Sequence, residues 1–280
     1  MRGFIFAAGL GTRLKPLTDT MPKALVPLAG KPLLQWQVEK LRDAGITDIV
    51  VNVHHFPDMI IDAVRAHDGW GANIRISDER DQLLDTGGGL RKAWREGLLP
   101  ASEPLLACNV DILSNINLPE LIHTYTSSSL LPCGGRSGEG LPSLLVVSER
   151  QTQRYLLFDE QNYLCGWTNI ATGEYKPSSL QGEELRSIER PEDGRRTSGG
   201  GLRKLAFSGM QILSPEVFEY MDDVALEKGD KFSLIDFYLQ IINHQSSIIH
   251  LKAYIPDAYK MMDVGKIDQI EEAEAFAERL

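Results

Sequence analysis

The sequence predicts an α/β fold, a mixed and mostly parallel sheet with helices on both faces, in a single domain. Three observations carry this expectation. Short apolar, β-rich runs alternate with amphipathic stretches of helical length through the first 125 residues. The joins between them are too short for anything but neighbouring elements. The chain has 280 residues, enough to bury a sizeable core without disulfide or metal staples.

Taken in order, residues 1–8 read as a buried strand. Residues 32–44 read as an amphipathic helix, with Leu33, Leu34, Trp36, Gln37, Val38 and Leu41 near helical spacing and Gly45 as its stop. "ITDIVVNV" at 46–53 is a second strand, 57–66 a helix and 72–77 a short strand. "GGGLRKAWREGL" at 87–98 starts as a glycine loop and becomes a helix. "PLLACNVDIL" at 104–113 is a buried strand with an aspartate near its carboxyl end, and 118–125 is helical. In the middle, 153–169 reads as two strands around a DEQN turn. The glycine- and charge-rich stretches at 133–142 and 191–201 read as loops, the second of them mobile. Strand returns at 204–213. A helix follows, with Ser214 as its N-cap and Pro215 at its first helical position. "SLIDFYLQIINHQ" is helical, "IIHLKAYI" is strand, and an acidic amphipathic helix runs from 266 onward.

Composition narrows the function. The formal net charge is −10 and no Lys/Arg block occurs, which argues against a nucleic-acid groove. A small phosphorylated ligand needs only a few local cations and is not excluded. Three cysteines, Cys108, Cys133 and Cys165, lie far apart with no CxxC pair, so neither a zinc site nor a disulfide framework is expected. No apolar run approaches the roughly 18 residues of a membrane span. The expectation is a soluble cytoplasmic protein that meets neither membrane nor nucleic acid.

The chemistry concentrates in "AAGLGTRLKP" at 7–16, directly after the first strand. The spacing Gly9-x-Gly11 is followed by Leu14 where a dinucleotide fingerprint needs glycine, and no Walker A pattern is present. What remains is a glycine turn whose backbone N–H groups can line an anion cavity. Thr12, Arg13 and then Lys23 follow it. Arg13 and Lys23 can neutralise phosphate charge that shifts during phosphoryl transfer.

Residues 4–33 resemble the signature of the sugar-1-phosphate nucleotidylyltransferases, AAG-x-G-T-R-L-x-P-L-T…P-K-x-L-x-P-x-x-G-x-P. Three later blocks match in order: "LLDTGGGLRKA" at 83–93, "LLACNVDIL" at 105–113 and "MMDVGK" at 261–266. The resemblance implies a Rossmann-like, glycosyltransferase-A-like sheet with a small β-rich sugar-binding elaboration. In such an enzyme a nucleoside triphosphate and a sugar 1-phosphate become a nucleotide sugar and pyrophosphate by in-line displacement. It divides the chain into a nucleotide-binding half at 1–130, a sugar-binding half at 131–265 and a C-terminal helix at 266–280.

Residue by residue, the resemblance implies that Ala8, Gly9, Gly11 and Thr12 cradle the nucleotide. Gly87 and Gly88 would lie against the base, with Gln82 and Glu79 as side-chain contacts. Arg13 would serve the leaving pyrophosphate and Lys23 the phosphate being transferred. Asp111 and Asp263 would hold Mg²⁺, whose preference for hard oxygen ligands suits two carboxylates and phosphate oxygens. Phe207, Ser208 and Gly209, in "LAFSGMQIL", would line the sugar pocket. "T-G-G-G", the N-x-D block and the short tail look like the N-acetylmuramate-1-phosphate uridylyltransferase branch, which favours UTP and a role in cell-wall recycling. Two rivals are a nucleotide-sugar sensor without catalysis and a glycosyltransferase on a similar sheet. Asn109 in "NVD" breaks the D-x-D motif that the second rival usually carries.

Overall fold

A computed structural model describes residues 1–128, 142–176, 202–243 and 249–280. The loops expected at 133–142 and 191–201, and Cys133 with them, lie outside the described residues apart from Pro142.

The strands are β1 (Arg2–Phe6), β2 (Pro27–Leu28), β3 (Lys31–Pro32), β4 (Asp48–Val53), β5 (Asn73–Asp78), β6 (Leu105–Asn109) and β7 (Ile112–Ser114) in the first half. They continue as β8 (Ser143–Ser148), β9 (Arg154–Phe158), β10 (Leu164–Asn169), β11 (Glu174–Lys176), β12 (Arg203–Leu213), β13 (Leu251–Tyr254) and β14 (Met261–Asp263). The helices are α1 (Leu33–Asp43), α2 (Pro57–Ala66), α3 (Asp85–Arg95), α4 (Leu118–Ser128), α5 (Val217–Lys228), α6 (Leu234–Asn243) and α7 (Ile270–Ala277).

The main sheet runs β11-β10-β9-β12-β6-β1-β4-β5, with β8 also paired to β12 and β13 to β8. The four strands from β6 to β5 are mutually parallel. β12 joins β6, β8 and β9 antiparallel, and so welds the second half onto the first. Strand periodicity sends alternate residues to opposite faces. In β1, Ile5 packs into one core with Ile60, Leu121 and Ala273, under α1, α2, α4 and α7. Phe4 and Phe6 face the other core, with Leu90, Phe218 and Phe237 of α3, α5 and α6. Among the described residues no helix is long and apolar enough to cross a membrane.

Three local expectations are corrected. The apolar run at 104–113 is not one strand. It breaks after Asn109 and resumes as β7, with Asp111 in the turn between. Ser214 is not an N-cap. Its N–H is taken by the Ser143 hydroxyl at 2.9 Å, and α5 begins at Val217 with no side-chain cap. The three glycines at 87–89 form no loop. They lie inside α3, fully buried. Helix costs glycine conformational entropy, so packing must require it. A Cβ on Gly87 would meet the Phe232 ring at 2.5 Å, on Gly88 the Asp230 carbonyl oxygen at 2.1 Å, and on Gly89 Glu79 Oε1 at 2.4 Å. The α5–α6 junction therefore presses directly onto the α3 backbone.

Candidate active site

The carboxyl ends of parallel strands are where α/β sheets build their sites. Here the loop after β1, the turn after β6 and the segment after β14 converge on a cavity of 430 Å³. Of the residues expected in the site, Gly9, Gly11, Thr12, Arg13, Lys23 and Asp111 all line it. Ala8 is buried between the strand end and Gly9. Gly11 is braced from below, its carbonyl accepting the Thr18 hydroxyl at 2.8 Å and the Leu14 N–H at 2.8 Å.

Lys23 sits in a 3₁₀ turn, Lys23–Leu25, and is only 7% exposed. Its ammonium is ion-paired to Asp111 Oδ2. Asp263 reaches the same place by a long-range route. β14 pairs antiparallel with β7, setting Asp263 opposite Ile112, and the Val264 N–H donates to the Asp111 carbonyl at 2.8 Å. Partial burial pushes the Asp263 carboxyl above the usual carboxylate range. The Asp111 charge pushes the same way, while Lys23, Arg13 and Arg150 oppose. Gly265 allows this crowding, since a Cβ there would meet Asp263 Oδ1 at 2.5 Å and Arg13 Nη2 at 2.9 Å.

Two adjacent carboxylates are a donor set that suits Mg²⁺ completed by phosphate oxygens. Among the described residues no group of three or more His, Cys, Asp or Glu side chains could hold a metal by itself.

The second nucleotide block is arranged differently from its expectation. The Gly87 and Gly88 N–H groups both donate to the Phe232 carbonyl, at 2.9 and 3.0 Å, so neither is free to read a base edge. Glu79 is 2% exposed and is spent on the protein. It accepts from Asn52 Nδ2 at 2.7 Å and from the Leu84 N–H at 3.1 Å. Asn52 Oδ1 in turn accepts the Ala7 N–H at 2.8 Å. Burial pushes the Glu79 carboxyl up, against those hydrogen bonds. This network ties the end of β1 to the loop before α3. Glu79 and Asn52 thus shape the cavity without lining it. Gln82 is exposed on that loop. The block reaches the cavity through Leu83 and Thr86 instead.

Phe207, Ser208 and Gly209, expected to line a sugar pocket, are not among the residues lining this cavity; they lie on β12, which carries a bulge. Its pairing with β8 shifts between Phe207 and Gln211, and Gly209 takes φ +69° there. The positive φ needs glycine, and a Cβ would also stand 2.9 Å from Asn109 Nδ2. Bulges re-aim strands beside active sites, and this one sets Gly209 against the end of β6. Ser208 is wholly buried and Phe207 half-buried.

Sequence reasoning passed over Leu10, Leu83, Thr86, Asn109 and Gly265, which all line the cavity. Thr86 and Asn109 sat inside quoted motifs, and Leu10 lay between the two glycines. Arg150 had no such signal. It donates to the Phe207 carbonyl at 2.9 Å, and its charge acts on Asp263.

Comparison with known proteins identifies the family. A family model described as nucleotidyl transferase matches residues 2–129. The N-acetylmuramate alpha-1-phosphate uridylyltransferase of Neisseria meningitidis serogroup B is 39% identical over 198 residues, 68% of this chain and 81% of that protein. The mannose-1-phosphate guanyltransferase of Saccharomyces cerevisiae is 36% identical over 225 residues, 79% of this chain but only 52% of that protein. A crystal structure of UDP-glucose pyrophosphorylase with UDP-glucose superposes with a TM-score of 0.69 at 18% identity, covering 100% of both chains. That last likeness concerns the fold alone. With its first loop, its paired aspartates and relatives of this kind, the chain belongs to the sugar-1-phosphate nucleotidylyltransferase family.

Proposed function

We propose that this enzyme transfers a uridylyl group from UTP to a sugar 1-phosphate, with N-acetylmuramate 1-phosphate as the preferred acceptor. The observation that carries the reading is the meeting of Arg13, Lys23 and Asp111 around one cavity, with Asp263 held beside them. The half at 1–130 takes the nucleotide and the half at 131–265 the sugar, while the tail from 266 packs against β2. The uridylyl assignment rests on the Neisseria relative. The yeast guanyltransferase supports a second reading, GTP with mannose 1-phosphate.

An oxygen of the sugar 1-phosphate attacks the α-phosphorus in line, a new P–O bond forms, and the bond to the β-phosphate oxygen breaks. The protein supplies no nucleophile; it positions the reactants and neutralises charge. The loop at 9–12 receives the triphosphate. Arg13 steadies the departing pyrophosphate. Lys23 leaves its pairing with Asp111 and turns to the phosphate being transferred. Asp111 and Asp263 would hold Mg²⁺, which when bound neutralises phosphate charge as a Lewis acid.

Pyrophosphate release with Mg²⁺ tests the reading. UTP, GTP, dTTP, CTP and ATP are crossed with the 1-phosphates of N-acetylmuramate, N-acetylglucosamine, glucose, mannose and heptose. Release confined to UTP with N-acetylmuramate 1-phosphate is expected. Release with GTP and mannose 1-phosphate selects the second reading. Nucleotide binding with no release anywhere points to a sensor.

Asp263 gives an independent check. A carboxyl raised in the folded state favours folding at low pH, and that contribution is lost as pH rises through its raised pKa. Above that range the Asp263 charge therefore opposes folding. Asp263→Asn should melt higher at pH 7, by about 2 °C, a small gain because the side chain keeps solvent contact. Its metal-dependent turnover should fall at least ~10²-fold. A lower melting temperature would show that Lys23, Arg13 and Arg150 more than offset the burial of the Asp263 charge.

A further inference from the structure

We infer that Gln37 and Lys40, on the inner face of α1, are positioning residues that hold Asp111 and Asp263 in register from behind. Neither lines the reaction cavity. The metal-ligand role of the two aspartates belongs to the function proposed above, and this inference rests on it.

The geometry forms a clasp. Gln37 Nε2 donates to the Ile112 carbonyl at 2.8 Å. Lys40 Nζ donates to the Ser114 carbonyl at 2.6 Å and to the Ser114 hydroxyl at 2.8 Å. Ile112 and Ser114 are the two ends of β7. That three-residue strand follows Asp111 by one peptide bond and is the pairing partner of β14, which ends at Asp263. β7 and β14 form a two-stranded sheet separate from the main sheet. A two-stranded ribbon has little stability of its own. Its register must therefore be enforced from outside, and a one-residue slip would turn Asp263 to the opposite face.

Both side chains are unusual choices if they only fill space. Gln37 is 1% exposed on a helix face otherwise made of Leu33, Leu34, Val38 and Leu41. Its Oε1 is buried with no hydrogen-bond partner among the described residues. An apolar side chain of the same size would avoid that cost, so the amide's value lies in its bond to Ile112. Lys40 stands in a similar position. It has no carboxylate within ion-pair distance among the described residues, and burial pushes its ammonium down to about 8. With Gln37 it lines a second cavity, of 530 Å³, that shares no lining residue with the reaction cavity. A half-buried cation without an acidic partner is costly, and its hydrogen bonds go to one residue of the ribbon.

The test uses Gln37→Leu and Lys40→Met, with Lys40→Arg as the conservative control. Amide hydrogen exchange of the metal-free protein is read first. Lys40→Met should lower protection at Val264 by about tenfold, while β1 and β4 keep theirs, and Lys40→Arg should restore most of it. Mn²⁺ affinity in the presence of nucleotide and kcat should both fall about tenfold or more, with the nucleotide KM within twofold of wild type. Unchanged protection at Val264 overturns the inference. So does a uniform loss across β1 and β4, which would mark a general packing role. If the wild-type protein neither binds Mn²⁺ at this site nor turns over, the proposed function fails, and the exchange pattern alone decides the clasp.

Discussion

Lys23→Ala is expected to lower kcat by about 10²–10³-fold, the usual effect of losing one preorganised charge donor at a reacting group. Two physical effects combine. The transferred phosphate loses its buried cation, and Asp111 loses its resting partner. The second effect also costs stability, because a charge pair that is mostly out of water is broken from one side. Turnover is therefore measured well below the variant's melting temperature, beside wild type at the same temperature. The KM for the nucleotide should move far less than kcat, because the loop at 9–13 is untouched. A kcat within threefold of wild type, in a folded variant, would remove Lys23 from the mechanism.

Gly88→Ala should destabilise the protein by about 3 kcal/mol, read as a lower urea midpoint at unchanged slope. Local reasoning gives the opposite sign. Alanine is the better helix former by about 1 kcal/mol, and Gly88 lies in the first turn of α3. The added Cβ, however, would lie 2.1 Å from the Asp230 carbonyl oxygen and 3.0 Å from the Leu84 Cβ. The first neighbour is backbone and cannot rotate away. The same variant separates two roles for the glycines. If they packed against the base, the substitution would raise the nucleotide KM and leave the fold intact. If they admit the α5–α6 junction, stability falls, and the folded fraction binds nucleotide almost normally. A stabilised variant would show that the junction yields.

Much of the first half was legible in order along the chain. β1, α1, β4, α2 and β5 follow from runs of consecutive residues, because a strand or an amphipathic helix is written in a period of two or 3.6. The loop at 9–13 was legible because its glycines and cations lie together in the chain. Lys23 and Asp111 were legible through their motifs, though not as an ion pair. The glycine run was misread for a related reason. From sequence, three glycines signal a loop, and only the atoms of Phe232, Asp230 and Glu79 show why a helix needs them.

The sequence by itself determined most strands and helices of the first half, that the sheet is of the α/β kind, and that a glycine turn with Arg13 follows the first strand. These depend on residues near one another in the chain. The tertiary structure alone decided how the site is assembled. It brought Asp263 beside Asp111 by pairing β14 with β7, set the bulge at Gly209 against Asn109, spent Glu79 on Asn52 rather than on a ligand, and placed Gln37 and Lys40 behind the ribbon. Each of these contacts joins residues far apart in the chain. Local periodicity carries no information about which distant backbone atom will fill the space.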